Sequence, residues 1–125
     1  MRKLTLISTL ALFLFLLGCA KEEINVETLP ADALVATVDT ERVEQVLRNL
    51  LSNAIKFSPQ SSQIRVGGKH QPEQILMWVR DQGIGIPVED LEHIFERFYR
   101  VQNESTYGVR GAGLGLSVSK AIIEA

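Results

Sequence analysis

The sequence predicts an α+β domain, with helices packed on one face of a mixed, largely antiparallel sheet. Three observations predict it: one long stretch of helical period, two strand-like runs joined by a short polar connection, and two glycine clusters placed where helices would open. With 46% hydrophobic and 22% charged residues, 125 residues carry core material for one modest domain. Thirteen Lys and Arg against fifteen Asp and Glu leave a net charge of −2, without the basic surplus that phosphate backbones attract, so no nucleic-acid partner is expected. A single cysteine excludes an internal disulfide framework and any zinc site built on several thiolates.

The first element is a leader. Arg2 and Lys3 precede the apolar run Leu4–Leu17, and no charge returns until Lys21. A positive start, a short apolar stretch and a small residue at its end are the parts of an export signal. The run is short for a span, because crossing ~30 Å of hydrocarbon takes about 20 apolar residues. Leu16-Leu17-Gly18-Cys19 resembles the lipobox of bacterial lipoproteins, which implies lipidation at Cys19, membrane association and export. A short membrane-anchor helix is the plainer alternative. Residues 1–19 are therefore expected as a lipoprotein-type signal, 20–32 as a polar tether carrying Pro30, and 33–125 as the folded domain.

Within that domain, Ala33–Val38 reads as a short strand ended by Asp39. Val43, Val46, Leu47, Leu50, Leu51, Ala54 and Ile55 then form one apolar stripe at helical spacing, with Asp39 as N-cap, Glu41 in the first turn and Ser58-Pro59 as the stop. Ile64–Lys69 and Gln74–Asp81 read as a hairpin around Pro72, with Trp78 assigned to the core. A second helix is expected from near Pro87, carrying Leu91, Ile94, Phe95 and Phe98 on one face. A third is expected from about Gly113 to the end, with Leu114, Val118, Ala121 and Ile122 inward.

Six of the nine glycines lie between Gly83 and Gly115, which concentrates backbone freedom in one half of the chain. Asp81-Gln82-Gly83-Ile84-Gly85-Ile86-Pro87 follows a strand, and Gly111-Ala112-Gly113-Leu114-Gly115 opens a helix, where free N–H groups suit anions. The common phosphate-loop and dinucleotide patterns are absent, and each cluster alone reads as a turn. Asn49, Asn53 and Lys56 fall within roughly 60° of arc on the first helix. Asn oxygens are hard ligands suited to Mg²⁺, and lysine is a point charge for phosphate. Alone, that trio reads as a solvated face. His70 and His93 read as surface residues.

Together the pieces say more. Asn49-Leu-Leu-Ser-Asn53-Ala-Ile-Lys56-Phe57, Asp81-x-Gly83-x-Gly85-Ile86, Phe95-Glu96-Arg97-Phe98 and Gly111-x-Gly113-Leu114-Gly115-Leu116 stand in that order. The set resembles the N box, first glycine box, F box and second glycine box of the ATP-binding domain of sensor histidine kinases. The resemblance covers residues from about Ala33 to Ala125. It implies a two-layer α/β sandwich, and by that pattern the closing hairpin after the third helix is missing here.

The resemblance also implies roles. Asn53, assisted by Asn49, would hold Mg²⁺, with Lys56 on the phosphates of ATP. Phe57 would lie against the adenine, and Asp81 would accept its amino proton. Gly83 and Gly85, beside Ile86, would let the backbone pass the nucleotide. Arg97 and the loop Arg100–Arg110 would form a lid, while Gly111, Gly113 and Gly115, around Leu114, would cradle the phosphates. Related ATPases that hydrolyse ATP carry a glutamate base where this chain has Asn49, which cannot take a proton from water. The expected activity is therefore γ-phosphoryl transfer to a histidine on a dimerisation domain supplied by another domain or chain, with a response regulator downstream. The resemblance implies a cytoplasmic ATP-using domain, whereas the leader implies export. An exported lipoprotein with a vestigial nucleotide site and a binding or structural role is the alternative left open.

Overall fold

A computed structural model of the chain describes residues 2–5, 23–26 and 35–125. The lipobox and Cys19 lie outside the described residues, as do residues 27–34. The described elements are β1 (Arg2–Thr5), β2 (Glu23–Val26), β3 (Val35–Val38), α1 (Thr40–Phe57), β4 (Gln63–His70), β5 (Ile75–Arg80) and α2 (Gly115–Glu124). β1 pairs antiparallel with β3, Arg2 opposite Val38. β2 lies parallel to β4, Glu23 opposite Gln63, and β4 pairs antiparallel with β5, Arg65 opposite Arg80. The second sheet is mixed, in the order β2-β4-β5. The expected α+β class holds.

α1 forms where its stripe and its cap agree. Asp39 accepts a hydrogen bond from the Arg42 N–H at 3.3 Å, Glu41 occupies the first turn, and extended backbone at Ser58 ends the helix. Its buried stripe is Val46, Leu47, Leu51 and Ala54. Leu47, Leu51 and Ala54 meet Ile64 and Val66 of β4, with Val43, Ile55, Met77 and Val79 packed around them. Leu51 and Ile64 are fully buried. Each such side chain contributes about 1.5–3 kcal/mol by leaving water. The hairpin turns at Gln71–Gln74, where Gln71 N–H donates to the Gln74 carbonyl at 2.8 Å and Pro72 sits inside the turn.

The alternation of β5 runs opposite to the expected one. Ile75, Met77 and Val79 face the helices, which leaves Leu76 41% exposed and puts Trp78 on the outer face. There the indole lies over Gly67, its cross-strand partner, so closely that a Cβ on Gly67 would come within 2.4 Å of the ring. Trp78 covers a glycine on the far side of the sheet and is no part of the core. A one-residue choice of parity exchanges the two faces of a strand, and a run as apolar as Ile75–Val79 does not announce it.

Two helical expectations also change. The segment after Pro87 is a 3₁₀ turn, Val88–Asp90, followed by irregular turns instead of a regular helix. Its stripe finds little to pack against, with Leu91 46%, Phe95 43% and Phe98 71% exposed, and short helices rest on tertiary burial. α2 begins at Gly115, and its buried residue is Ser119, while Ala121 is exposed. The inward face is thus rotated by about one position from the stripe expected.

Candidate functional site

One cleft of about 690 Å³ gathers the asparagine-bearing motif and both glycine motifs, with α1 as one wall and the segment from Asp81 to Leu116 as the other, while Phe95–Phe98 stay out of its lining. Asn49, Asn53, Lys56 and Phe57 line it from the last turns of α1, all on one side because they recur at helical spacing. Asp81, Gly85 and Ile86 line it from the turn after β5, and Gly111, Gly113, Leu114 and Gly115 from the turn that opens α2. Gly83 and Arg97 are not part of the lining.

The first glycine turn is fastened to the end of α1. Ile84 N–H donates to the Phe57 carbonyl at 3.1 Å, and Gly83 N–H donates to Asp81 Oδ1 at 2.8 Å. A Cβ on Gly83 would sit 2.7 Å from the Phe57 carbonyl oxygen, so this glycine lets the turn dock on the helix and does not itself border the cleft. One Asp81 oxygen shapes the turn.

The second glycine turn is fastened to the F box. Phe98 N–H donates to the Gly113 carbonyl at 2.8 Å. Gly113 has φ +71°, and a Cβ there would meet the Phe98 and Tyr99 backbone at 2.8 Å, so both conformation and space require glycine. Phe98 takes φ +66°, an uncommon conformation for a bulky residue. Arg97, adjacent to this junction, is exposed and does not line the cleft. The Cβ position of Gly111 lies 4.0 Å from Lys56 Nζ, which puts the lysine across the cleft mouth from the glycine turn.

Between the glycine turns, the loop from Arg100 to Arg110 holds itself. Asn103 and Thr106 form a reciprocal cap, Thr106 Oγ1 donates to the Val101 carbonyl at 2.7 Å, and Arg100 donates to the Val109 carbonyl. Arg100, Val101, Thr106 and Arg110 face the cleft from this loop. Leu91 and Ile94, expected on the packed face of a helix, and Tyr99, for which the sequence suggests no role, also line it. The apolar spacing of Leu91 and Ile94 was visible as a helix stripe, but nothing in the pattern separated a core face from a cleft face. Tyr99 carried no such signal.

Tyr99 Oη donates to Asp90 Oδ1, and this hydrogen bond to a carboxylate raises the phenol pKa above its ordinary value. His93 Nδ1 lies 2.7 Å from Glu96 Oε1, with the His93 and Tyr99 rings 5.4 Å apart. The Glu96 hydrogen bond, then its charge, raise the His93 pKa above 6.5. His93 is a surface residue, as expected.

Among the described residues no cluster of three or more His, Cys, Asp or Glu could hold a metal. On the α1 wall of the cleft, Asn49 and Asn53 bring amide oxygens, while the Asp81 carboxylate lies on the opposite wall. Such a neutral, hard-oxygen pair fits an ion that keeps waters and takes its remaining ligands from substrate phosphates, as Mg²⁺ does.

Comparison with known proteins places this geometry. Residues 38–125 match the family model described as histidine kinase-, DNA gyrase B-, and HSP90-like ATPase. The chain is 38% identical over 102 residues to the sensor histidine kinase WalK of Bacillus subtilis, covering 80% of this chain and 17% of that protein. It is 34% identical over 108 residues to the sensor protein kinase WalK of Staphylococcus haemolyticus, covering 85% of this chain and 18% of the relative. The chain therefore spans less than a fifth of the length of these two relatives. The mycobacterial sensor histidine kinase MprB superposes with a TM-score of 0.76 at 26% identity, over 98% of this chain and 76% of that one. The catalytic domain of histidine kinase ThkA, in a nucleotide-free form, gives 0.78 at 28% identity, over 98% and 79%. Three motifs lining one cleft, a family model over most of the chain and kinase catalytic domains as structural neighbours agree: this chain belongs to the histidine kinase-, DNA gyrase B- and HSP90-like ATPase family, and the relatives named above are sensor histidine kinases.

Proposed function

We propose that this chain binds Mg-ATP in the cleft and serves as the catalytic core of a histidine kinase, transferring the γ-phosphoryl to a histidine on another domain or chain. The observation that carries the reading is the convergence of Asn49, Asn53, Lys56 and Asp81 with both glycine turns on a single cavity of nucleotide size. Asp81, with one oxygen committed to Gly83, offers the other to the adenine 6-amino group, where guanine carries a carbonyl. Phe57, Ile86 and Leu91 give the base an apolar surround. Lys56 and Arg110 lie where phosphate charge would enter, and the glycine turn at Gly111–Gly115 brings backbone close to it. Bound Mg²⁺ would neutralise the phosphates, held by Asn53 and Asn49. No carboxylate stands at Asn49 to activate water, which favours transfer over hydrolysis.

The acceptor is then a histidine-bearing dimerisation domain of a kinase, with a response regulator after it. The test is to incubate the full chain with γ-labelled ATP and such a domain. An acid-labile, base-stable label on the acceptor histidine is expected. Nucleotide binding without any transfer would favour a vestigial site.

For the leader, the reading is export with lipid on Cys19 and attachment to a membrane. It is supported by the charge pattern of residues 1–19 and by the lipobox. Processing there would remove β1 from the side of β3. Radiolabelled lipid on the protein, lost with Cys19→Ala, is the expected result; an unlabelled chain retaining Met1 would overturn it.

A further inference from the structure

Ser119 is 5% exposed, and it is a buried polar residue where α2 meets Asn49 of α1, where an apolar side chain would pack with less demand. Its partners explain it. Asn49 Nδ2 donates to the Gly115 carbonyl at 3.0 Å and to Ser119 Oγ at 3.1 Å, while Ser119 Oγ donates to the same Gly115 carbonyl at 2.9 Å. The three atoms form a nearly equilateral triangle. Because the Ser119 hydrogen is spent on Gly115, only lone pairs face Asn49, and they demand the nitrogen end of its amide. The carbonyl end keeps its acceptor capacity. Asn49 lines the cleft, and a reversed amide would set its oxygen against the Gly115 carbonyl.

We propose that Ser119 is a positioning residue for the metal end of the cleft: its hydroxyl holds the Asn49 amide nitrogen on α2 and so keeps the Asn49 oxygen available to a divalent cation accompanying a nucleoside triphosphate. The same triangle ties α1 to the first residue of α2, so the metal-facing amide and the second glycine turn share one anchor. This assignment rests on the Mg-ATP reading above. It adds a residue that lies outside the cleft lining and outside the motif residues already given roles.

The experiment uses the full chain and a fluorescent ATP analogue, with affinity measured once with saturating Mg²⁺ and once with EDTA. The ratio of the two affinities is the readout, since a packing defect weakens both alike and leaves their ratio unchanged. Ser119→Ala is expected to lower the ratio about fivefold, the scale of one lost hydrogen bond, with metal-free affinity kept within about twofold. Asn49→Ala is expected to lower it as well, and Ser119→Ala added to Asn49→Ala to lower it no further, because the two act as one unit. An unchanged ratio in Ser119→Ala overturns the assignment while leaving the Mg-ATP reading intact, as does an equal loss of both affinities. A parent chain that binds no analogue under either condition overturns the reading and the assignment together.

Discussion

The two walls of the cleft are built on different principles. The α1 wall is regular: one capped helix whose buried stripe also forms the core with β4. The facing wall, until α2 begins at its far end, has no strand and no α-helix from Asp81 to Leu114, only two 3₁₀ turns and a set of fasteners. It is held by single hydrogen bonds at named points, Ile84 to Phe57 and Phe98 to Gly113, with much of its apolar surface exposed. Stability and ligand reading are thereby separated. A change in α1 should act on the whole fold, and a change in the opposite wall should act on the cleft.

The sharpest break is Leu51→Ala, which empties a fully buried position. A loss of about 2–5 kcal/mol is expected in urea unfolding. A marginal effect there would mean that α1 is not the stabilising wall. Next is Asp81→Asn, which puts an amide donor where a ligand amine needs an acceptor. A loss of about 10- to 100-fold in ATP affinity with an unchanged melting curve is expected. A lowered melting temperature with intact affinity would reverse the division between the walls.

Gly113→Ala tests one fastener. Its positive φ and the 2.8 Å approach to the Phe98 and Tyr99 backbone imply a local cost of about 1–3 kcal/mol. The Phe98 amide should exchange faster with solvent while the Leu51 amide keeps its protection; parallel loss at both would show that the walls do not open separately. The smallest effect belongs to His93. Glu96 holds its folded pKa above 6.5, so the stabilisation is fully present below pH 6.5 and is lost as pH rises through the raised value. In an NMR titration, Glu96→Gln should return the His93 midpoint towards 6.5, and a midpoint indifferent to Glu96 would remove this contact from the F-box turn.

The same division governs what was readable beforehand. α1, its Asp39 cap, the β4–β5 hairpin and the order of the four motifs are local properties: period, cap chemistry and turn residues act within a few positions of chain. Each was legible because its physical cause lies next to it in sequence. Asn49, Asn53 and Lys56 were recognisable as a set for the same reason.

What tertiary structure decided came from contacts between distant residues. The parity of β5 depended on which face met α1, so Trp78 went over Gly67 instead of into the core. The stretch after Pro87 had a helical stripe but no surface to bury it, and stayed a series of turns. Gly83 took its place from the Phe57 carbonyl, Arg97 stayed out of the cleft lining, and the inward position of α2 fell to Ser119, whose partner Asn49 lies 70 residues away. A one-dimensional pattern records the periods that a segment can satisfy. Which of them is satisfied depends on hydrogen-bond partners and packing surfaces that meet only when the chain has closed on itself.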